Sequence, residues 1–340
     1  MNCPGCYRPL RSAKPRFCPA CTRLLFDGQP VSPLLPFTVQ DLPGILRDDL
    51  MRTIKRISIS GVQFKASMRL VAGALALSPE RGPLEYLLKP PPRGFDLSHA
   101  AAVPANEHFT MQLARQVFGL EVAACGLLQF ADGSAAAYLT RRFDVLPTGE
   151  RLSQEDFAQL AERSPATHGP NFKYEFSHEG IAALIARFVP AAQPDLDQFF
   201  RLTLFNYLVS NGDAHLKNFS LHRRPETGEY HLTPAYDLLN TALHVSDGNG
   251  LALDLFADGY ETASFAANGF LAYDDFLEFG IRIGLPPSRV RRLLADSVGH
   301  EPAIEALLEK SWLPAALRAQ YANTLASRRQ RLRYSLAGAK

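Results

Sequence analysis

The chain lacks an excess of charge of either sign. Its 36 Lys and Arg stand against 34 Asp and Glu, a net charge of +2, which argues against a dedicated nucleic-acid coat protein and leaves room for a local basic patch. It also lacks a long apolar run. Stretches such as Leu70–Leu77 and Ala182–Val189 fall far short of the roughly 20 residues a membrane helix needs. The opening residues are Cys, Pro and Arg, without the apolar segment of a signal peptide. A soluble, cytoplasmic protein with no membrane partner is therefore expected. Internal repeats and low-complexity tracts are missing too. With 46% hydrophobic and 21% charged residues, disordered and collagen-like classes are excluded. The 340 residues suffice for one large domain or two packed lobes.

Cysteine is scarce and unevenly placed. Four of the five fall within the first 21 residues, as Cys3-Pro-Gly-Cys6 and Cys18-Pro-Ala-Cys21. Two such turns each aim a pair of thiolates at one ion, which fits a tetrahedral Zn²⁺ site. Two disulfides are the alternative, disfavoured without an export signal. Four thiolates leave no open coordination position, so a structural ion is expected. A knuckle of this size reads as an accessory that braces a terminus, docks a partner or touches nucleic acid. Cys125, within Val122-Ala-Ala-Cys-Gly-Leu-Leu128, reads as a buried core thiol.

The expected organisation is a four-cysteine zinc knuckle over 1–27, a Pro-rich connector over 28–55, a small lobe over 56–145 and a helical lobe over 146–340. The connector holds Pro30, Pro33, Pro36 and Pro43, a density that favours extended backbone. In the small lobe, β-type runs fall at Ile57–Ser60, Ala66–Leu70, Tyr86–Lys89 and Ala135–Thr140. One helix interrupts them, with Asn106 as N-cap, an apolar stripe through Phe109, Leu113 and Val117, and Gly119 at its end. Beyond about residue 150, helices are expected at Ile181–Val189, Phe199–Ser210, Asp274–Ile283, Ser288–Ala295, Pro302–Leu308 and from Pro314 onward. The fold class is α+β: a small α/β lobe and a larger, mostly helical lobe with a cleft between them.

Chemistry concentrates in Asn211-Gly-Asp213-Ala-His215-Leu-Lys217-Asn218-Phe-Ser220, which follows a buried helix at a Gly break. An Asp with an Asn five positions later is the spacing of protein-kinase catalytic loops, where the Asp accepts the proton of the attacking hydroxyl and the Asn ligates Mg²⁺. A second acid, Asp237, follows a β-type run in Leu232-Thr-Pro-Ala-Tyr236-Asp237-Leu238, as suits a metal carboxylate under ATP phosphates. Asn-Gly-Asp alone would be an ordinary solvated turn; the Asp, His, Lys and Asn together with a strand-borne Asp argue for function. Upstream, Ser58-Ile-Ser60-Gly61-Val62-Gln63-Phe64-Lys65 is a small-residue turn able to bring backbone N–H groups to phosphate. It is neither a Walker A loop nor a G-x-G-x-x-G, and an ordinary hairpin fits it equally. Lys89 ends the run Glu85-Tyr-Leu-Leu-Lys89 like the phosphate-holding strand Lys of kinases, with Glu107 its natural partner.

Together these residues resemble the HipA family of bacterial Ser/Thr kinases, toxins of HipA–HipB type toxin–antitoxin systems. Ser58–Lys65 is similar to the family's Ser-rich phosphate loop and autophosphorylation site, Tyr86–Pro90 to its ATP-binding strand, and Ala105–Phe109 to its Asn-Glu helix start. Arg141-Arg142-Phe143-Asp144 resembles the hinge at adenine. Asn211–Phe219 resembles the catalytic loop, and Leu232–Leu238 the metal-binding strand. The resemblance implies Asp213 as catalytic base, Asn218 and Asp237 as Mg²⁺ ligands, and Lys89, Arg141, Phe143, His215, Tyr236, Ser60, Gly61 and Val62 around ATP. Lys65, Gln63 and Glu107 would support them, and Ser58 or Ser60 would be autophosphorylated. The short form before Ser58 is similar to HipT toxins, whose missing subdomain is a separate HipS-like protein. Implied partners are a HipB-like antitoxin, with DNA reached only through it, and an aminoacyl-tRNA synthetase as substrate. Implied cofactors are ATP and Mg²⁺; the Zn²⁺ knuckle is not part of the resemblance.

Two other readings stay open at the level of sequence. One is a catalytically silent binding module built on a kinase fold. The other is a nucleic-acid-binding regulator, supported by the Arg-rich segments Arg289–Arg292 and Ser327–Arg333.

Overall fold

The computed structural model describes residues 1–12, 14–42, 64–78, 84–92, 97–146, 148–245, 250–336 and 338. Strands β1 (Ala66–Val71), β2 (Ala74–Leu77), β3 (Tyr86–Lys89), β4 (Cys125–Gln129) and β5 (Ala136–Arg141) make an antiparallel sheet in the order β2-β1-β3-β5-β4. The run Ile57–Ser60, expected as a strand, lies outside the described residues. Strand side chains alternate between faces, and here both faces are covered. Tyr86, Leu88, Leu128, Ala137 and Leu139 pack into one core. On the opposite face Leu87, Lys89 and Thr140 line a cleft, and Tyr138 joins the second core.

The first face is covered by the N-terminal residues. Helix α1 (Pro19–Phe26) and its flanks bury Phe17, Leu25 and Phe26 against β1, β3 and β5. The described part of the Pro-rich stretch, through Leu42, is packed and ends in a 3-10 turn over Val39–Asp41: Val31, Leu35, Val39 and Leu42 are buried in the same core. Leu34 bridges Gln129 of β4, and the Gln129 N–H donates to the Pro33 carbonyl at 2.8 Å. The Leu127 N–H donates to the Pro4 carbonyl at 3.0 Å. The edge of β4 is thus capped by the chain's own N-terminal segment, which removes an exposed pairing surface. Of the roles open to an accessory of this size, the knuckle braces its terminus, packed as a wall of the small lobe.

Helix α2 (Val103–Gln116) packs on the cleft face. It begins three residues earlier than the expected Asn106 cap because Pro104 sits in its first turn, where a fixed φ and a missing N–H favour initiation. Asn106 is instead fully buried within the helix. Its Nδ2 donates to the Asn240 carbonyl at 2.8 Å and its Oδ1 accepts from the Asn240 N–H at 3.1 Å.

The larger lobe holds a three-stranded sheet, β6 (Gln154–Asp156), β7 (Ser220–Arg223) and β8 (Tyr230–Leu232) in the order β6-β7-β8, and most of the helices. Short helices α3 (Phe157–Leu160) and α4 (Pro165–His168) precede α5 (His178–Phe188) and α6 (Gln193–Leu208). Most of α6 is buried, in line with its apolar circumference. After α7 (Ala263–Asn268) come α8 (Tyr273–Arg282), α9 (Pro287–Ser297), α10 (Glu301–Leu308) and α11 (Ala315–Arg333). The expected helices recur within a few residues of their observed ends, except that α6 starts earlier, at Gln193. No helix among the described residues is long and apolar enough to cross a membrane.

Arg289 and the arginines of α11 serve the fold, while Arg291 and Arg292 are exposed. Arg328 and Arg329 of α11 are buried. The Arg328 Nε donates to Ser210 Oγ at 2.9 Å, and its guanidinium lies 4.9 Å from the Tyr207 ring centroid. Arg329 binds the Val298 carbonyl and Glu301 Oε1, and Arg289 pairs with Asp197. These cations already have partners, which removes the main support for a nucleic-acid-binding face on α11.

Candidate functional site

A cleft of about 330 Å³ runs between the two lobes. Its roof is the small sheet. Lys89, the last residue of β3, is buried there because strand alternation turns it from the knuckle face to the cleft face. Its Nζ lies 2.6 Å from Glu107 Oε1 on α2 and also hydrogen-bonds Asp237 Oδ1. Lys65 Nζ is 3.6 Å from the other Asp237 oxygen. Burial would depress the Lys89 ammonium, but the charges of Asp237 and Glu107 outweigh it and hold the pKa above its ordinary value. Burial likewise raises Glu107, to about 6, since Lys89 offsets only part of the desolvation. For Asp237 the same burial is overcome by Lys65 and Lys89, and its carboxyl stays well below the usual range. Asp237 takes a left-handed backbone, φ +55, a conformation Asp tolerates at some cost and one that collects at functional sites.

The floor is the loop after α6. Asn218 Nδ2 donates to the Asp213 carbonyl at 2.9 Å, closing the Asp213–Asn218 segment on itself. Asn211 Nδ2 donates to Asn206 Oδ1 at 3.0 Å and to the Asp237 carbonyl at 3.4 Å. The Gly212 N–H reaches Thr241 Oγ1 at 2.9 Å. The floor and the Asp237 segment are thereby one unit. Asp213 is buried, and its Oδ1 accepts from the Tyr174 hydroxyl at 2.7 Å. His215 lines the cleft with both ring nitrogens buried and without a hydrogen-bond partner. Burial, opposed by Asp213, lowers its pKa to about 4, so the ring is neutral near pH 7. Such orphaned nitrogens fit a site that completes its hydrogen bonds with a ligand.

At the cleft mouth Phe143 and Tyr236 stand with ring centroids 5.7 Å apart, and Tyr236 donates to the Lys217 carbonyl at 3.0 Å. The Arg141 guanidinium grips Asp27 at 2.6 and 2.7 Å, tying the cleft rim to the end of α1. Of the Ser58–Lys65 loop only Phe64 and Lys65 fall among the described residues; Ser58, Ser60, Gly61, Val62 and Gln63 lie outside them.

Sequence reasoning passed over Lys173 and Tyr174. They sit in a polar stretch between α4 and α5 with no periodic pattern, and a Lys-Tyr pair alone carries no signal. The Leu216 N–H donates to the Lys173 carbonyl at 3.1 Å, which draws the segment under the cleft. Lys217, by contrast, is occupied by Asp156 at 2.7 Å. Among the described residues Lys173 is the one cleft lysine without a salt bridge; its Nζ rests 5.1 Å from the Tyr174 ring centroid. Burial, partly countered by Asp213, lowers its pKa.

At the far side of the small sheet, the Sγ atoms of Cys3, Cys6, Cys18 and Cys21 all lie within 4.8 Å of one another. Cys6 and Cys18 are 3.7 Å apart, close to the roughly 3.8 Å edge of a tetrahedron with 2.3 Å Zn–S bonds. The backbone N–H groups of Gly5 and Cys18 donate to Cys3 Sγ at 3.4 and 3.2 Å, the second shell a thiolate requires. Gly5 is required there, since a Cβ would come within 2.8 Å of Cys21 Sγ. Cys125 is buried, accepts from Gln112 Nε2 at 3.3 Å and has its thiol pushed up to about 12 by burial, as expected of a core cysteine.

A small β-lobe with a strand Lys–helix Glu pair, set over a helical lobe with an Asp-Asn loop, defines the two-lobed HipA-like kinase fold. Residues 57–303 match the HipA-like C-terminal domain family, and the chain belongs to it. It is 27% identical over 303 residues to a Haemophilus influenzae protein named "Putative kinase", covering 85% of this chain and 84% of that one. It is 25% identical over 271 residues to the serine/threonine-protein kinase toxin HipA of Shewanella oneidensis, covering 73% of this chain and 59% of that protein's length. The structure of Shewanella oneidensis HipA, solved with HipB and operator DNA, superposes with a TM-score of 0.61 at 23% identity, over 82% of this chain and 65% of HipA; at that identity the likeness concerns the fold.

Proposed function

We propose that the chain is an ATP- and Mg²⁺-dependent serine/threonine protein kinase, the toxin of a HipBA- or HipBST-type toxin–antitoxin system. The observation that carries this reading is the buried Lys89 shared between Glu107 and Asp237 across a cleft whose other wall is the Asp213–Asn218 loop. When bound, Mg²⁺ would neutralise charge on the ATP phosphates. Asn218 and Asp237 offer the oxygen donors that Mg²⁺ prefers, and the Lys89 ammonium faces the same space. Phe143 and Tyr236 give apolar faces for a base at the rim. Asp213, oriented through Tyr174, accepts the hydroxyl proton of the protein substrate. Lys173, without a salt bridge among the described residues, supplies a positive charge for the transferred phosphoryl group.

In this reading the knuckle (1–27), connector (28–55) and small lobe (56–145) form the nucleotide-binding half, and 146–340 the substrate-facing half. Ser58 or Ser60 takes the autophosphorylation, and a structural Zn²⁺ fills the four-cysteine site. A HipB-like antitoxin is the expected partner, supported by the HipB complex of the fold neighbour. The HipS-like protein, the aminoacyl-tRNA synthetase substrate and the cytoplasmic location rest on the family resemblance.

Intact-mass spectrometry before and after incubation with Mg²⁺ and ATP, beside Asp213→Ala, tests the reading. Phosphate on the wild type and none on the variant is expected. Neither protein phosphorylating itself or a panel of synthetases would favour a silent binding module.

A further inference from the structure

The two CxxC turns hold different parts of the nucleotide site. The first turn grips helix α2, besides pairing its Pro4 carbonyl with the Leu127 N–H at the edge of β4. The Tyr7 hydroxyl hydrogen-bonds His108 Nδ1 at 2.7 Å, one residue from Glu107, and the two rings meet edge to face at 4.9 Å. Gln116 Nε2, at the other end of α2, donates to the Cys6 carbonyl at 3.1 Å. The second turn, with α1, grips the strands. Tyr86 of β3 donates its hydroxyl to the Leu25 carbonyl at 2.9 Å. Phe26 packs 5.8 Å from the Tyr86 ring, and Asp27 holds Arg141 at the end of β5. The contact is close enough that a Cβ on Gly126 of β4 would fall 2.8 Å from the Phe17 ring.

Lys89 is three residues from Tyr86, and Glu107 is the neighbour of His108. Within the knuckle the two turns meet at the four-sulfur cluster, where the Cys18 N–H also donates to Cys3 Sγ at 3.2 Å. We propose that a Zn²⁺ ion bound by Cys3, Cys6, Cys18 and Cys21 is a positioning clamp for nucleotide binding: it ties the strand that carries Lys89 to the helix that carries Glu107 from behind the sheet. Tyr7 is the positioning residue that transmits the tie. A Lys–Glu pair binds phosphates only when strand and helix are in register, and four thiolate–metal bonds would add to the packing of α2 on β4 and β5, where Gln112 already donates to Cys125 Sγ at 3.3 Å, in fixing that register. The inference rests on the reading of the cleft as an ATP site.

The test uses the full chain. Zinc is counted by elemental mass spectrometry, and Mg·ATP binding is measured by calorimetry on the protein as purified, after removal of the metal with a chelator, and after zinc is restored. One zinc per chain is expected, with ATP Kd raised about tenfold or more on removal and recovered on restoration. Amide exchange over 103–116 should rise in parallel. Because the stripped chain could unfold, Tyr7→Phe is the second arm. It keeps zinc and the ring packing but loses one hydrogen bond, and should raise ATP Kd about 2- to 10-fold. In a Glu107→Gln background the same change should have no further effect. A chain that takes up no zinc overturns the proposal. So does an ATP Kd indifferent to both metal removal and Tyr7→Phe. Zinc-loaded protein that binds no Mg·ATP fails at the earlier step, the reading of the cleft, and takes the proposal with it.

Discussion

Lys89 Nζ and Glu107 Oε1 lie 2.6 Å apart, each with a side chain 2% exposed. Neither charge would be tolerated alone at that depth, because an unpaired buried ion costs several kcal/mol. Asp237 completes the group, so the roof of the cleft is a three-membered network and its members do not act independently. Lys89→Met should strand Glu107 as an unpaired buried acid and leave Asp237 with Lys65 alone, 3.6 Å away. We expect ATP-dependent phosphorylation to fall about 100-fold or more, and the fold to lose about 3 kcal/mol in denaturant titration. An unchanged rate would remove Lys89 from the site.

Asp213→Asn keeps the shape of the loop and can still accept from Tyr174, but it cannot take a proton. A loss of about 10²- to 10⁴-fold in kcat is expected, with ATP affinity nearly intact, as read by phosphate incorporation beside nucleotide binding.

Lys173→Met should separate binding from chemistry. Among the described residues its ammonium makes no salt bridge and the only acid whose charge it feels is Asp213, so the variant should fold normally. The expected result is a fall in kcat of about 10²-fold with little change in KM. A change in KM alone would place Lys173 in ground-state binding.

Acid should destabilise the fold through its buried histidines. His178 lies among Phe199, Phe219 and Phe279, and burial, set against a bond to the Asp254 carbonyl, lowers its pKa from 6.5 to about 4. The unfolded chain therefore takes up a proton that the folded chain refuses. The stability this represents is fully present above pH 6.5 and drains away as pH falls toward 4, at up to about 1.4 kcal/mol per pH unit for each such group. His215 contributes in the same direction. Melting temperatures between pH 7 and 4.5 should fall steeply, and His178→Phe should flatten the slope by roughly one proton.

Arg328→Met tests the structural role of the basic helix. Losing the bond to Ser210 in a buried site should cost about 1–3 kcal/mol. Salt-sensitive DNA retention by the isolated chain that fell with this substitution would revive a nucleic-acid role.

The parts of this protein legible from its residues are those that short-range physics dictates. The spacing of Cys3, Cys6, Cys18 and Cys21 specified two metal-type turns. Tyr86–Lys89 carried the β pattern, and Asp213–Asn218 its loop chemistry, because each depends on residues a few positions apart. Even the pairing of Lys89 with Glu107 was legible, through the strand Lys–helix Glu pattern of kinases. What lies far apart in the chain was settled by packing. Lys173 and Tyr174 reached the cleft only when Leu216 paired with their backbone. The arginines of α11 turned inward to groups over a hundred residues upstream or on a neighbouring helix. The Asn106 cap gave way to Pro104 because the Asn240 backbone, 134 residues away, offered its side chain better partners. The knuckle became a wall of the small lobe because the outer face of the five-stranded sheet carries Leu88, Leu128, Ala137 and Leu139, apolar surface that folding removes from water, and the strands alone could not say what would cover it.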